Sequence, residues 1–192
     1  MGQPEEAIHA PLNATLQYVK GLLAGLPSPQ YAPLNAIVTS AIPAADVFQA
    51  ANVGGMMRPV PNCYIWANTI HEDRQTMPRG PGFKKMTYRL DLLLQVIEQS
   101  DDEFRETAFP CLYDAVRFVL NATAIVHDII DPVTGYASQV LQIGEELDSE
   151  VYIPDSVSLG DQFGVRSTAR FTLKIEEAMQ SLPLAPGNVA AV

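Results

Sequence analysis

Apolar and polar side chains alternate between Thr87 and Ile97, and this period of two predicts a strand with one buried face. The pattern then changes to apolar residues at steps of three and four, which predicts a helix. Ser100, with Glu103 three residues later, matches a capping box at the start of that helix. Pro110 lies inside the run, so we expect either a kink or a short helix before a longer one. The predicted apolar stripe comprises Phe104, Ala108, Cys111, Leu112, Ala115, Phe118, Val119 and Ala122.

The same two periods predict the other elements of the chain. An amphipathic helix is expected at 13–24, and the clearest alternation lies at 165–176, where the outer positions lean towards basic residues. Further strands are predicted at 36–42, 62–70, 138–143 and 151–159. Strands that follow one another with a helix inserted predict an α+β domain. In this fold the helices pack on one face of a mainly antiparallel sheet.

Between two of these strands, residues 71–86 show charge, proline and glycine but no period. They predict a long loop at the tip of a hairpin. Connections longer than about twelve residues are uncommon and are usually functional or disordered. This loop contains four basic residues, Arg74, Arg79, Lys84 and Lys85. It is the stretch in which a functional surface is most expected.

The totals predict one domain over the 192 residues, with a core at 12–177 between arms at 1–11 and 178–192. The net charge of −10 argues against a general nucleic-acid binder, because phosphate contacts need a surplus of Lys and Arg. The chain shows no apolar run long enough for a membrane span and no signal peptide. Cys63 and Cys111 are predicted to be buried free thiols.

No motif for catalysis or metal binding is recognisable. Nucleophile-elbow, phosphate-loop and zinc-binding patterns are absent from the sequence. His71-Glu72-Asp73 is more simply interpreted as a solvated loop than as metal ligands, because zinc sites need a different spacing. Asp91 beside Arg89 could be a catalytic carboxylate, but a surface or interface ion pair is the preferred interpretation. We therefore expect no enzyme and no cofactor.

The order of these elements resembles the tail-terminator (tail-completion) proteins of long-tailed bacteriophages. The resemblance covers residues 12–26 and 62–177. It depends on a strand, a polar loop with Arg, Gly and Lys, and a second strand reading TYRLDLLLQVI. A helix with DAVRFVLN follows, and then hairpin strands that end in RSTARFTLKIEE. The match concerns the order of the elements and the kinds of residues in them, and it includes no signature motif. The stretch 27–61 and both arms are longer than the family pattern.

The resemblance implies a structural virion protein of the tail and neck, present in the host cytoplasm during assembly. Such proteins form a six-fold ring that caps the tail tube, stops its polymerisation and joins it to the head. The implied partners are other copies of the chain, the tail tube protein and a head-completion or neck protein. DNA would pass through the lumen without specific binding. The basic residues of loop 71–86 would face the tube or the lumen, and the charges expected at the ring interface are Arg89, Asp91, Arg166 and Arg170.

Two other interpretations stay open at this point. One is another neck component of a phage, such as a head-completion or stopper protein. The other is a small cytosolic α+β enzyme or ligand-binding domain, which would be a monomer or dimer with a polar pocket. Truncation of the loop separates these classes, because a terminator would lose tube capping while it still folds. If the loop is only a solvated tip, its truncation would have no effect.

Overall fold

The computed structural model describes residues 10–28, 30–40, 48–75, 83–99, 102–122, 126–130, 137–142, 148–159 and 162–180. This part of the chain forms two helices and nine strands. The helices are α1 (Ala10–Leu23) and α2 (Asp102–Ala122). The strands are β1 (Asn35–Val38), β2 (Ala50–Val53), β3 (Met56–Pro59), β4 (Asn62–Gln75), β5 (Phe83–Glu98), β6 (Val126–Ile130), β7 (Ala137–Gln142), β8 (Asp148–Leu159) and β9 (Gln162–Gln180).

Seven of the described strands form one sheet in the order β1-β4-β5-β9-β7-β6, and β8 also pairs with β9. The β7 pairing uses the end of β9, at Ile175–Met179, whereas β8 pairs with its first half. Only β1 and β4 run parallel among the described pairs. β2 and β3 form a separate two-stranded sheet. The predicted α+β fold with a mainly antiparallel sheet is therefore confirmed.

One face of this sheet forms the core with both helices. Along the central row, Leu92 lies opposite Ile65 of β4 and Phe171 of β9, and all three side chains are fully buried. Val19 of α1 and Val116 of α2 belong to the same hydrophobic cluster. The apolar residues at every second position of β5, from Tyr88 to Val96, are all buried, as the alternation in the sequence predicted, and Asp91, Gln95, Ile97 and Glu98 between and after them are buried as well. Each such aliphatic side chain contributes about 1.5–3 kcal/mol on burial.

The predicted loop at 71–86 is wrong in its bounds. β4 continues to Gln75 and β5 begins at Phe83, so only 76–82 lie between these two strands, outside the described residues. The strands extend through this polar stretch because their neighbours supply backbone partners. β5 pairs with β9 over its whole length, and β4 pairs with β5 as far as Gln75. Backbone pairing does not need the alternation of side chains that revealed the rest of both strands.

α2 is one helix with Pro110 inside it, and it is not divided into a short and a long helix. Its buried positions are Ala108, Phe109, Leu112, Val116 and Leu120. The predicted stripe was therefore partly wrong. Cys111 is exposed and so is Phe118, at 71% of its surface. The residues at 112, 116 and 120 set the buried face, and position 118 lies roughly 200° around the helix from 116 at about 100° per residue.

Other boundaries shift by a few residues. α1 begins at Ala10, so the predicted N-terminal arm at 1–11 is too long by two residues, and 1–9 lie outside the described residues. β9 continues to Gln180, which removes the first residues of the predicted arm at 178–192. The predicted strands at 138–143 and 151–159 correspond to β7 and β8. β6 was not predicted.

The proline-rich stretch, which the sequence left largely unassigned, contains β1 and the β2–β3 hairpin. β1 is shorter than the predicted strand at 36–42. In the hairpin, Val53 pairs with Met56 across a two-residue turn. Gly54 and Gly55 have φ angles of 61° and 81° there, in the region that only glycine adopts freely. A pair of glycines is typical of a two-residue hairpin turn. Among the described helices, neither has the length and apolar character to cross a membrane.

Candidate functional site

The polar face of the sheet, opposite the helices, is centred on Asp91 of β5. In register, Asp91 lies between Trp66 of β4 and Thr172 of β9. Because residues directly opposite in an antiparallel pair point to the same face, three strands contribute side chains to this point. The Asp91 side chain is 0% exposed, although it is on the face without helices. A carboxylate in such a position needs partners for both oxygens.

Four side chains, which together with Asp91 we call the Asp91 cluster, surround its carboxylate. The Arg170 guanidinium pairs with Oδ2, which also accepts a hydrogen bond from Asn68 Nδ2 at 2.7 Å. Oδ1 accepts a hydrogen bond from the Thr172 hydroxyl at 3.1 Å and lies 3.4 Å from Arg89 Nε. Arg89 Nη2 also donates to the Thr172 hydroxyl at 3.2 Å. The two arginines thus neutralise the acid, and the neutral groups complete its hydrogen bonds.

The partners of Asp91 also determine its protonation. Burial by itself would raise the pKa of Asp91, but the hydrogen bonds from Arg170, Thr172 and Asn68 and the charge of Arg170 lower it below the usual value. The acid therefore stays ionised at neutral pH and cannot act as a proton donor there. With both oxygens engaged inside the subunit, the Asp91 cluster has the character of a structural ion-pair network.

The structure thus brings together three of the four residues proposed for the ring interface, Arg89, Asp91 and Arg170. Arg166 lies four residues before Arg170 on β9, opposite Ile97 of β5. The sequence did not identify Asn68 or Thr172 as partners. Thr172 occupies a polar position in the alternating pattern of β9, as Arg170 does, and that pattern could have identified it. Asn68 reaches the acid at an irregularity between Ala67 and Thr69, which no local pattern reveals.

The basic residues of the predicted loop have different positions from those expected. Arg74 lies in β4 directly opposite Lys84 in β5, and Asp73 lies opposite Lys85. Successive residues of a strand alternate between the two faces, so Lys84 and Lys85 take opposite faces of the sheet. Arg79 falls outside the described residues. Arg74, Lys84 and Lys85 therefore lie on two paired strands and not on one loop.

A cleft lies between the β2–β3 hairpin and the end of β5. The cleft has a volume of about 370 Å³ and its lining includes Phe48, Met57, Arg58 and Glu98. Glu98 is buried at the end of β5, where it accepts a hydrogen bond from the hydroxyl of Tyr31. Burial first, and then the Glu98 carboxylate, raise the pKa of Tyr31 well above the usual value. Tyr31 therefore stays protonated and ties the segment before β1 to the sheet.

The two cysteines differ in environment. Cys63 is fully buried in β4, and burial raises the pKa of its thiol to about 12. Cys111 is exposed on α2, which contradicts its predicted burial. Within the described side chains, no group of three or more His, Cys, Asp and Glu residues could hold a metal ion.

A thiol reagent should separate these two cysteines. We expect Ellman's reagent to modify one thiol per folded chain at neutral pH, because a thiolate must be both formed and reachable. The Cys111→Ser variant should show no fast reaction, while Cys63→Ser should react like the wild type. In denaturant both thiols should react. Fast modification of Cys63 in the folded chain would contradict its burial.

A scan against models of protein families found no match, and a search of curated proteins found none either.

Proposed function

We propose that this chain is a structural virion protein that caps the tail tube of a long-tailed phage as a ring. In this role it ends tube polymerisation and forms the joint to the head and neck. The observation that carries the proposal is the continuation of β4 and β5 through the basic stretch as paired strands. Arg74, Lys84 and Lys85 are therefore residues of paired strands instead of a loop.

The pairing of Arg74 with Lys84 supports a partner at this place. Like charges directly opposite in a sheet destabilise the pair by up to about 1 kcal/mol. Such a cost is offset when an acidic protein surface or a phosphate backbone faces the pair. A tail tube subunit or DNA in the lumen would supply that negative charge. The overall charge of −10 keeps the rest of the ring from holding DNA as it passes.

The Asp91 cluster supports a structural role more than a catalytic one. Its acid is ionised and held by four side chains, so a substrate would have to displace an existing partner. The polar face around Asp91 includes β5 and β9, the two longest of the described strands. A rigid network there would fix the alignment of the strands that a ring needs. Another neck component of the virion would use the same geometry with different partners.

The direct test is an assembly assay with purified tail tube protein. The full chain is mixed with tube subunits during polymerisation, and tube lengths are measured by negative-stain microscopy. We expect short tubes with a ring at one end, and light scattering should give the mass of a multimer. Tubes of unchanged length, with a chain that stays monomeric and binds a small molecule in the cleft near Glu98, would contradict the proposal and favour the ligand-binding alternative.

Charge reversal at the hairpin tests the role of its basic residues. We expect Arg74→Glu combined with Lys84→Glu to reduce tube capping at least tenfold, since two attractive contacts become repulsive. Folding should persist, because the substitutions leave the backbone ladder intact. Arg117→Glu on the exposed face of α2 is the matched control and should leave capping unchanged. Equal capping by the double variant would exclude this pair from the tube contact.

The structure also changes the truncation experiment. Removal of 71–86 would take away strand residues that pair with β5 and β9, so loss of capping could result from loss of the sheet. Deletion of 76–82 with a short Asn-Gly turn in its place leaves the described strands complete. Capping by this variant would then report on the connection alone.

A further inference from the structure

β4 has an open edge over its second half. It pairs with β5 from Asn62 to Gln75 but with β1 only from Asn62 to Ile65. In the part of the chain that the structure describes, no strand lies beside Thr69–Gln75 on the side away from β5. The backbone N–H and C=O groups on that side can form a further ladder. An edge of this length is a template for a strand from another chain.

β6 provides a second open edge at the same level of the sheet. Among the described strands it pairs only with β7. The register connects the two edges through one row, in which His71 lies opposite Thr87, Thr87 opposite Glu176, Glu176 opposite Leu141 and Leu141 opposite Val126. The open half of β4 and the whole of β6 are therefore the two ends of one row of five strands, β4-β5-β9-β7-β6.

The directions of these strands are also compatible. Each of the four steps from β4 to β6 is antiparallel, so β4 and β6 run in the same direction. Rotation about an axis roughly parallel to the strands keeps that direction, and β6 of one copy would meet β4 of the next in parallel. The outer edge of β8 fits less well, because β8 pairs with the first half of β9, at the level where β1 covers β4.

We propose that the open edge of β4, Thr69–Gln75, binds β6, Val126–Ile130, of a second copy of this chain as a parallel strand. The contact joins two different surfaces, so repetition by rotation closes a ring. The sheet would then run from subunit to subunit without a free edge at this level. The pairing is argued from the strand edges alone, whereas its closure into a ring rests on the proposed function.

Both edges carry charged residues. Glu72, Asp73 and Arg74 lie on the β4 edge, and His127 and Asp128 lie in the middle of β6. Charged residues on an edge oppose unspecific pairing and aggregation.

Proline substitution at adjacent positions of β4 tests the pairing. His71→Pro and Glu72→Pro each remove one backbone N–H, and neighbouring residues direct these groups to opposite sides of the strand. One variant therefore removes a hydrogen bond between β4 and β5 and acts as the internal control. It is recognised because it no longer unfolds in a cooperative transition. The other affects only the open edge. We expect it to unfold cooperatively and to have the mass of a monomer by light scattering.

The proposal is overturned if the cooperatively folded proline variant keeps the multimer mass of the wild type. It is also overturned if the wild type is monomeric at every concentration.

Should neither proline variant fold, cross-linking decides the question. In a Cys111→Ser background, Asp73→Cys is combined with His127→Cys or with Asp128→Cys and treated with a short thiol cross-linker. We expect a ladder of covalent multimers, which either single cysteine cannot form.

The matched control joins Asp73→Cys with Ser156→Cys on β8. If this control forms covalent multimers and the variants with a cysteine in β6 do not, β4 contacts β8 instead of β6, and the proposal is overturned. The results also separate this inference from the proposed function. Multimers that cross-link through β4 and β6 but do not cap tubes would contradict the function and support the pairing. Tube capping without cross-links between β4 and β6 would support the function and contradict the pairing.

Discussion

Phe171→Ala is expected to lower the free energy of unfolding by about 3–5 kcal/mol. Phe171 is fully buried in the centre of β9, where it lies opposite Leu92. Its ring also stacks on Tyr113 of α2, with 5.2 Å between the ring centroids and 21° between the planes. Truncation removes the contact between helix and sheet and leaves a cavity that neighbouring strands cannot fill. A domain is stable by about 5–15 kcal/mol, so this loss is a large part of the total.

The measurement is urea unfolding followed by circular dichroism, with Phe118→Ala as the matched control. Phe118 is 71% exposed on α2, so its truncation should change stability by less than about 0.5 kcal/mol. The pair also tests the phase of the helix, because the sequence predicted Phe118 as part of the buried stripe. Equal losses for both variants would contradict the burial of α2 found here.

Asp91→Asn is expected to lower stability by about 1.5–3 kcal/mol at neutral pH, the usual contribution of hydrogen bonds to a charged group. The substitution keeps the shape of the side chain but removes the charge between Arg89 and Arg170. Both arginines are partly exposed, at 45% and 37%, and can turn to water. That exposure keeps the loss below that of a fully buried ion pair, for which removal of one partner costs about 3–5 kcal/mol.

The pH dependence of this difference follows from the lowered pKa of Asp91. An acid whose pKa is lower in the folded state stabilises the protein above its unfolded pKa, about 3.9 for aspartate. That contribution decreases as the pH falls from there through the folded pKa. The difference between wild type and Asp91→Asn should therefore be constant near neutral pH and shrink in acid.

Asp114→Asn on the exposed face of α2 is the control for this experiment and should show no comparable change. Denaturant unfolding of the three proteins at several pH values measures the effect. A stability difference that is independent of pH down to strong acid would show that folding does not lower the pKa of Asp91.

Local patterns in the sequence were sufficient for the elements whose faces are half-buried. The alternation in β5 and β9 gave their buried faces correctly, because side-chain period is a local property of a strand. It failed where apolar and polar side chains do not alternate, at 71–75 and 83–86, because pairing there depends on neighbouring strands. It also missed the phase of α2, since apolar residues surround much of that helix and only the packed sheet selects one face.

Local side-chain patterns were enough to predict the class of the fold and the polar outer positions of β5 and β9. Those features follow from the period of the side chains. The partners of Asp91 could be found only in the folded chain, because Asn68, Arg170 and Thr172 come from strands that are far from β5 in the sequence. The same is true of the edges of β4 and β6 that no described strand covers. An edge is defined by the strands beside it, and sheet order is not a local property of the chain.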